Sequence, residues 1–216
     1  RIWKHARSQS DKVFIEGTLL NAFYNSKTIF IHIPKTAGGS METCLLKQYF
    51  KRTKMPAGSP LRKGLLSYNG EWTQHYPIQK TIDSRSLEEE EYFKFCFVRN
   101  PWSRAVSEFF YIKKQKGCNC SLENIPKTFK DWCKKDMPCS WEWHTDPQVN
   151  FIIDKKGETI MDFIGRFENL QEDFNLVCNA INIPTSNLPT HNNTNHKHYT
   201  EYYDDETRQI IAEKYR

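Results

Sequence analysis

The chain has 216 residues, of which 38% are hydrophobic and 14% aromatic, and its formal net charge is +5. A chain of this length can bury a full core, so we expect a single domain over residues 1–216. No stretch reaches the roughly 20 consecutive apolar residues that span a bilayer. The sequence begins at Arg1 and not at Met, so a signal or an anchor could have been removed, and a membrane is expected as a partner only in that case. No nucleic-acid fold or zinc-finger spacing is recognisable, which argues against a nucleic-acid partner despite the clustered lysines.

The first informative segment is residues 28–50, where an apolar run leads into a Lys-Thr-Ala-Gly-Gly-Ser turn and an amphipathic pattern. This order predicts a buried strand, a tight turn and a helix. Gly38 and Gly39 would let the backbone approach a bulky phosphate, and the first helical N–H groups favour negative charge there. Lys35 adds a full positive charge. The segment predicts an anion site; the plainer alternative is a helix N-terminus that binds nothing.

A second strand-turn-helix unit is predicted at residues 92–113. Asn100 is a good helix N-cap, and Pro101 suits the first helical position because its missing N–H would have no partner there. Arg99 falls at the carboxyl end of the predicted strand. Ligands of open parallel sheets bind beyond these strand ends, so Arg99 and the Lys35 turn could face the same crevice. Taken alone, an arginine here is more simply explained by a surface salt bridge.

The glycine-rich turn differs from the Walker A loop of kinases and nucleoside triphosphatases. In that loop the lysine follows the glycines and adjoins a hydroxyl that holds magnesium. Here Lys35 precedes Gly38 and Gly39. A Walker A enzyme is therefore disfavoured, and no magnesium or other metal site is implied.

At these two segments the chain resembles the sulfotransferases that use 3'-phosphoadenosine 5'-phosphosulfate (PAPS), in particular the branch that includes the heparan sulfate 2-O- and 6-O-sulfotransferases and many bacterial relatives. The family loop H-x-P-K-T-G/A-G-x-S/T, which binds the 5'-phosphosulfate, corresponds to His32–Ser40. The family element F-V-R-N-P-x-x-R-x-x-S, which binds the 3'-phosphate, places its ligands at Arg99 and Ser107. The similarity continues through residues 162–170 and 196–208.

The resemblance implies an α/β protein with a P-loop-NTPase-like three-layer sandwich around a central, mainly parallel sheet. It implies PAPS as donor, adenosine 3',5'-bisphosphate as product and no metal. The residues it assigns to the nucleotide are Lys35, Thr36, Ala37, Gly38, Gly39, Ser40, Arg99 and Ser107, together with Lys197, His198 and Tyr199 in a late loop. Lys35 would also be catalytic, because its charge would stabilise the oxygen that leaves.

The resemblance also implies a general base between the two PAPS segments, where His75 is the only histidine. An ordinary histidine pKa of about 6.5 lets the ring accept a proton at neutral pH. Glu71 is the reserve candidate, and His32 alternates with apolar strand positions, so it is a weaker one. The alternative for His75 is a histidine that only donates a hydrogen bond. Downstream, residues 159–167 are predicted to form a strand, and an ion pair between Arg166 and Glu168 is expected to fix the loop after it.

The acceptor is the least determined part of the prediction. A carbohydrate hydroxyl is favoured, possibly on an acidic glycan. The alternatives are a phenol, alcohol or amine sulfotransferase, a phosphate-binding kinase, or an inactive binding module. Specificity would depend on loops such as residues 118–144, whose tryptophans Trp132, Trp141 and Trp143 could stack on sugar rings or fill a core.

A cysteine-containing insert is expected at about residues 117–140. Its cysteines are Cys118, Cys120, Cys133 and Cys139. Two disulfides are favoured over free thiols, and a zinc site is disfavoured because the spacing is poor. Disulfides would favour a location in the Golgi lumen, whereas the resemblance of much of the chain to bacterial relatives favours a bacterial cytoplasm.

Overall fold

The computed structural model describes residues 18–19, 22–23, 27–50, 67–68, 71–85, 87–114, 126–138, 142–190 and 194–216. Its main sheet has five strands, which are, in their order across the sheet, β1 (Thr18–Leu19), β2 (Ala22–Phe23), β3 (Thr28–Ile31), β6 (Phe93–Val98) and β7 (Phe163–Arg166). A separate antiparallel pair consists of β4 (Ser67–Tyr68) and β5 (Glu71–Trp72).

Strands β3, β6 and β7 run parallel, whereas β1, β2 and β3 pair antiparallel. The described α-helices are α1 (Gly38–Phe50), α2 (Ile78–Arg85), α3 (Pro101–Lys114), α4 (Phe129–Lys134), α5 (Leu170–Ala180) and α6 (Asp205–Lys214). This mixed architecture confirms the predicted α/β fold with a central parallel sheet. None of the helices in the described ranges is long and apolar enough to cross a bilayer.

Strands β3 and β6 are buried on both faces because successive side chains alternate between two apolar clusters, whereas β7 is partly exposed. Phe30, Phe95 and Phe97 face the side on which α1 and α5 pack. Ile29, Ile31 and Cys96 face the other side, which α2 and the 3-10 helix Gln148–Phe151 cover. Helices α3, α4 and α6 share a third cluster around the buried side chain of Trp132. The sheet therefore lies between two helical layers, and its strand ends are left for a site.

The predicted strand at residues 159–167 is too long. Only Phe163–Arg166 forms β7, while Thr159 makes an isolated antiparallel bridge to Ile153. The apolar pair Ile160 and Met161 precedes the pair Phe163 and Ile164, so the sequence pattern did not reveal where pairing with β6 begins.

Among the predicted insert cysteines, only Cys133 lies within the described residues. It is a free, buried thiol, and burial raises its pKa to about 12. Cys44, Cys96 and Cys178 are also free and buried, as expected for small core residues. The predicted pair of disulfides is not confirmed, since Cys133 would have to take part. Cys118, Cys120 and Cys139 lie outside the described residues.

We expect Gly165→Ala to destabilise the sheet, because a Cβ at this buried position would lie 2.5 Å from Cε1 of Phe97. Overpacking of this kind costs about 1–3 kcal/mol of unfolding free energy. Urea unfolding followed by far-UV circular dichroism measures the loss. Ile164→Val is the matched control, since Ile164 is adjacent on β7 but 42% exposed. Equal midpoints for Gly165→Ala and wild type would contradict the close contact.

Candidate active site

The loop after β3 and the end of β6 open onto one cavity of about 550 Å³. Lys35 and Arg99 both line it. The two segments also touch, because Nη1 of Arg99 donates a hydrogen bond to the Lys35 carbonyl at 3.2 Å. The two strand-turn-helix units therefore face a common space, as their position at neighbouring parallel strand ends predicted.

Most of the sequence-predicted site residues meet in this cavity. Those that line it are Lys35, Ala37, Gly38, Gly39, Ser40, His75, Arg99 and Ser107. Thr36 does not: its side chain is fully buried, and its hydroxyl donates to the Ile33 carbonyl at 2.8 Å, which closes the turn.

The late-loop residues lie away from the cavity wall. Lys197 pairs with Glu201 at 3.1 Å, and the ring of His198 bonds to the Thr200 hydroxyl at 2.7 Å. Tyr199 packs against the third apolar cluster. From this loop, Thr194 and His196 line the cavity instead.

The backbone of the Lys35 turn is unusual because two non-glycine residues adopt the left-handed conformation. Lys35 has φ 67° and Ala37 has φ 69°. Such residues store backbone strain and are concentrated at functional sites. Gly38 is required for another reason: a Cβ there would lie 2.0 Å from the ring of His32. The glycine therefore admits a histidine ring, which the sequence interpretation had not foreseen.

Arg99 is held firmly at the end of β6. Its Nε donates to the Ser103 hydroxyl at 3.0 Å, and its guanidinium lies 3.9 Å from the centre of the Phe167 ring. The Gln148 side chain bonds to both the N–H and the carbonyl of Arg99, at 2.9 and 2.8 Å. Burial lowers the pKa of Arg99 to about 10, partly offset by Glu168, so the group stays charged at neutral pH.

The start of α3 confirms the predicted cap, since the Ser103 N–H donates to Oδ1 of Asn100 at 3.1 Å. The expected ion pair between Arg166 and Glu168 is not present among the described ion pairs. Glu168 instead accepts a hydrogen bond from the Asn100 N–H at 2.9 Å, and the Arg166 N–H donates to Asp173 at 2.6 Å. The carboxylate of Glu168, which follows β7, thus holds the backbone of Asn100, which precedes α3.

His75 lies on a tight turn between β5 and α2, closed by the Tyr76 N–H bonding to the Thr73 carbonyl at 3.2 Å. Nδ1 of His75 is 2.7 Å from the His32 carbonyl. A carbonyl only accepts hydrogen bonds, so Nδ1 carries the proton and Nε2 is left to accept one. Burial lowers the pKa of His75 well below 6.5, and the nearby His32, His144 and Lys35 lower it further. The ring is therefore neutral at physiological pH.

A family profile described as the sulfotransferase family matches residues 22–216. The chain belongs to the sulfotransferase family. It is similar to an uncharacterized protein of Archaeoglobus fulgidus, with 36% identity over 94 residues that cover 43% of this chain and 70% of that protein. No solved structure matches it with significance. Membership establishes a sulfotransferase enzyme, as the two motifs predicted.

This sulfotransferase surrounds His75 with two further histidines, each bonded to a buried carboxylate. His32 Nδ1 lies 2.5 Å from Glu42, and its ring centre is 4.5 Å from that of His75. His144 Nδ1 lies 3.0 Å from Glu108, and its ring centre is 5.1 Å from that of His75. Both rings meet His75 edge to face. The rings of His32 and His144 therefore fix the orientation of His75 from two sides.

Tyr111 and His144 are among the residues that line the sulfotransferase cavity and that the sequence did not predict as site residues. The Lys35 ammonium lies 3.6 Å from the centre of the Tyr111 ring, a cation–π contact that orients the lysine. Tyr111 follows Ser103 and Ser107 at intervals of four on α3, and this helical spacing was the available signal. No comparable spacing pointed to His144, because it lies in the 3-10 helix Glu142–Thr145, which is distant in sequence from both motif segments.

Arg104, the second arginine of the α3 motif, does not line the cavity and is only 1% exposed. Its guanidinium donates to the carbonyls of Pro34, His144 and Asp146, at 3.1, 2.8 and 2.8 Å. It therefore ties to α3 both the Lys35 turn and the segment formed by the 3-10 helix Glu142–Thr145 and the following Asp146.

The side chain of Glu71, the reserve base, lies outside the described residues. Within the described ranges, no three His, Cys, Asp or Glu side chains are grouped so that they could hold a metal ion.

The surroundings of His75 make its titration a direct test of the site. We expect NMR to show a neutral His75 ring at pH 6.5, because burial and the nearby His32, His144 and Lys35 disfavour its proton. His144→Gln removes one of these groups, so the His75 pKa should rise. His198→Gln changes an exposed histidine outside the cavity and should leave the His75 pKa unchanged. Titration of wild-type His75 at or above about pH 6.5 would contradict the described environment.

Proposed function

We propose that this sulfotransferase binds PAPS in the cavity between Lys35 and Arg99 and transfers the sulfuryl group to an acceptor hydroxyl, with His75 as the base. The observation that supports it most is that both motif segments and His75 line one cavity. A nucleotide phosphorylated at two positions needs cationic groups at two separate points, and one cavity offers both.

The residues present fit such a ligand. Ligand pockets commonly measure about 300–1,000 Å³, and this cavity of about 550 Å³ falls within that range. Neither the Gly38 nor the Gly39 amide donates to a described backbone carbonyl, so both N–H groups remain for an anion. Leu170, Leu188 and Pro189 give the lining an apolar part that suits a purine ring.

Each residue then has a physical role. Lys35, steadied on Tyr111, holds the 5' anionic group and stabilises negative charge on the oxygen that leaves. Arg99 and Ser107 bind the 3'-phosphate, because a guanidinium offers several donors in a fixed plane. His75 Nε2 takes the proton of the acceptor hydroxyl. Bound PAPS supplies an activated sulfuryl group.

We expect Arg99→Ala to weaken the affinity for adenosine 3',5'-bisphosphate by about tenfold to a hundredfold. Charge-assisted hydrogen bonds of this kind contribute about 1.5–3 kcal/mol. Isothermal titration calorimetry measures the change, and ATP serves as the comparison ligand. Arg166→Ala is the matched control, since Arg166 ends β7 but is exposed and outside the cavity. Unchanged affinity in Arg99→Ala, or tighter binding of ATP than of the bisphosphate, would refute the proposed nucleotide site.

For His75→Ala we expect the transfer rate to fall by about a hundredfold to ten-thousandfold, the usual contribution of a positioned base. Affinity for adenosine 3',5'-bisphosphate should change little. Lys35→Ala should lose both rate and affinity, because the lysine would contact the nucleotide and the leaving oxygen. Turnover with labelled PAPS and calorimetry on the same preparations separate these effects. A His75→Ala enzyme with full activity would assign the base to another residue.

A further inference from the structure

The turn that carries His75 is tied to α1 through its neighbour in sequence, Gln74. The Gln74 amide donates hydrogen bonds to both carboxylate oxygens of Glu42, at 3.1 and 3.0 Å. Gln74 lines the cavity, whereas Glu42 is only 3% exposed. Hydrogen bonds to a charged group are stronger than those between neutral groups. This contact therefore holds residues 73–76 to the helix that begins at Gly38.

The same carboxylate of Glu42 also holds the ring of His32. Oε1 of Glu42 lies 2.5 Å from Nδ1 of His32. Because an ionised carboxylate only accepts hydrogen bonds, Nδ1 carries a proton and Glu42 restrains the ring. The His32 carbonyl in turn accepts a hydrogen bond from Nδ1 of His75 at 2.7 Å. Gln74 and its neighbour His75 are therefore both anchored to one buried pair of residues.

The buried pair of His32 and Glu42 also contacts the start of α1. Gly38, the first residue of this helix, lies directly against the His32 ring, since a Cβ at Gly38 would come within 2.0 Å of it. Glu42 follows four residues later, which is about one helical turn. The segment proposed to hold the 5' group of the nucleotide and the turn that carries His75 thus share the same two buried side chains.

We propose that Gln74 and Glu42 are positioning residues for the transfer reaction, because they set the distance and angle of His75 relative to the nucleotide site. This inference rests on the proposed function, in which His75 is the base. A base must lie within about 2.6–3.2 Å of the proton that it removes. A displacement of about 1 Å can lower a rate about a hundredfold. Gln74 and Glu42 therefore contribute to the rate without contacting the reacting atoms.

Variants can remove the contact between Gln74 and Glu42 or reverse it. Gln74→Ala removes it without changing the charge, and we expect kcat to fall about tenfold. Gln74→Glu places two carboxylates side by side and should lower kcat at least as much. The double variant Glu42→Gln/Gln74→Glu again pairs one amide with one carboxylate, so we expect its kcat to lie within about threefold of wild type. All variants should bind adenosine 3',5'-bisphosphate as wild type does.

Turnover of labelled PAPS with 4-nitrophenol and with neutral and uronic-acid oligosaccharides measures the rate, and the best acceptor of the wild-type enzyme is used for all variants. NMR of nitrogen-labelled imidazole rings gives a readout that needs no acceptor. The Nδ1–H of His75 should exchange slowly with water in wild type and in the double variant, and about tenfold faster in Gln74→Ala and Gln74→Glu. Gln79→Ala is the matched control and should change neither readout. Gln79 also donates to a carboxylate, that of Asp83 at 2.8 Å, but does not line the cavity.

The outcomes separate this inference from the proposed function. If wild type does not bind the bisphosphate in calorimetry, the proposed function fails, whatever the Gln74 variants do. If wild type binds it and Gln74→Ala keeps the wild-type rate or the slow exchange at His75, the positioning role is refuted; where no acceptor is turned over, the exchange rates alone decide. Loss of bisphosphate affinity in Gln74→Ala would assign Gln74 to the nucleotide and would also overturn the inference. So would a double variant that recovers nothing over Gln74→Glu.

Discussion

The site depends on one buried cation, Arg104, which does not line the cavity. Arg104 donates to three carbonyls, and each belongs to a loop that forms the cavity wall. A buried guanidinium needs such partners, because an unsatisfied buried charge is strongly destabilising. Because the guanidinium of Arg104 is rigid and planar, it also restricts its partners: the carbonyls of Pro34, His144 and Asp146 must all lie within hydrogen-bonding distance of it. The position of Arg104 on α3 thus fixes the Lys35 turn and the histidine wall relative to each other.

The second constraint is the placement of titratable rings around His75. Histidine is useful as a base only when its orientation and tautomer are fixed. Here the His32 carbonyl fixes the tautomer, and the edge-to-face contacts with His32 and His144 fix the ring plane. Buried Glu42 and Glu108 in turn hold the two outer rings. The arrangement resembles the supporting contacts that position functional groups in metal and catalytic sites.

Local signals account for what the sequence predicted well. The Asn100 cap, the helix start at Pro101 and the strand before Arg99 depend on neighbouring residues, so they can be derived without the fold. Parallel pairing of β3 with β6 then brings Lys35 and Arg99 together. Residues that are distant in sequence but meet in the site left no comparable local pattern in the sequence. His144 meets His75 through tertiary contacts with distant residues, among them Arg104 and Glu108. Lys197 was placed by resemblance to a loop whose course no local rule fixes.

The side chain of Gln148 has a consequence for ligand capture. The Gln148 amide bonds to both the N–H and the carbonyl of Arg99, as the backbone of a neighbouring strand would. It thereby extends the hydrogen bonding of the sheet by one residue beyond the end of β6. The arginine is thereby anchored as rigidly as a sheet residue although it stands where the strand has ended. In the nucleotide site proposed for this residue, Arg99 would lose little conformational freedom on binding an anion, so more of the attraction would be retained as affinity.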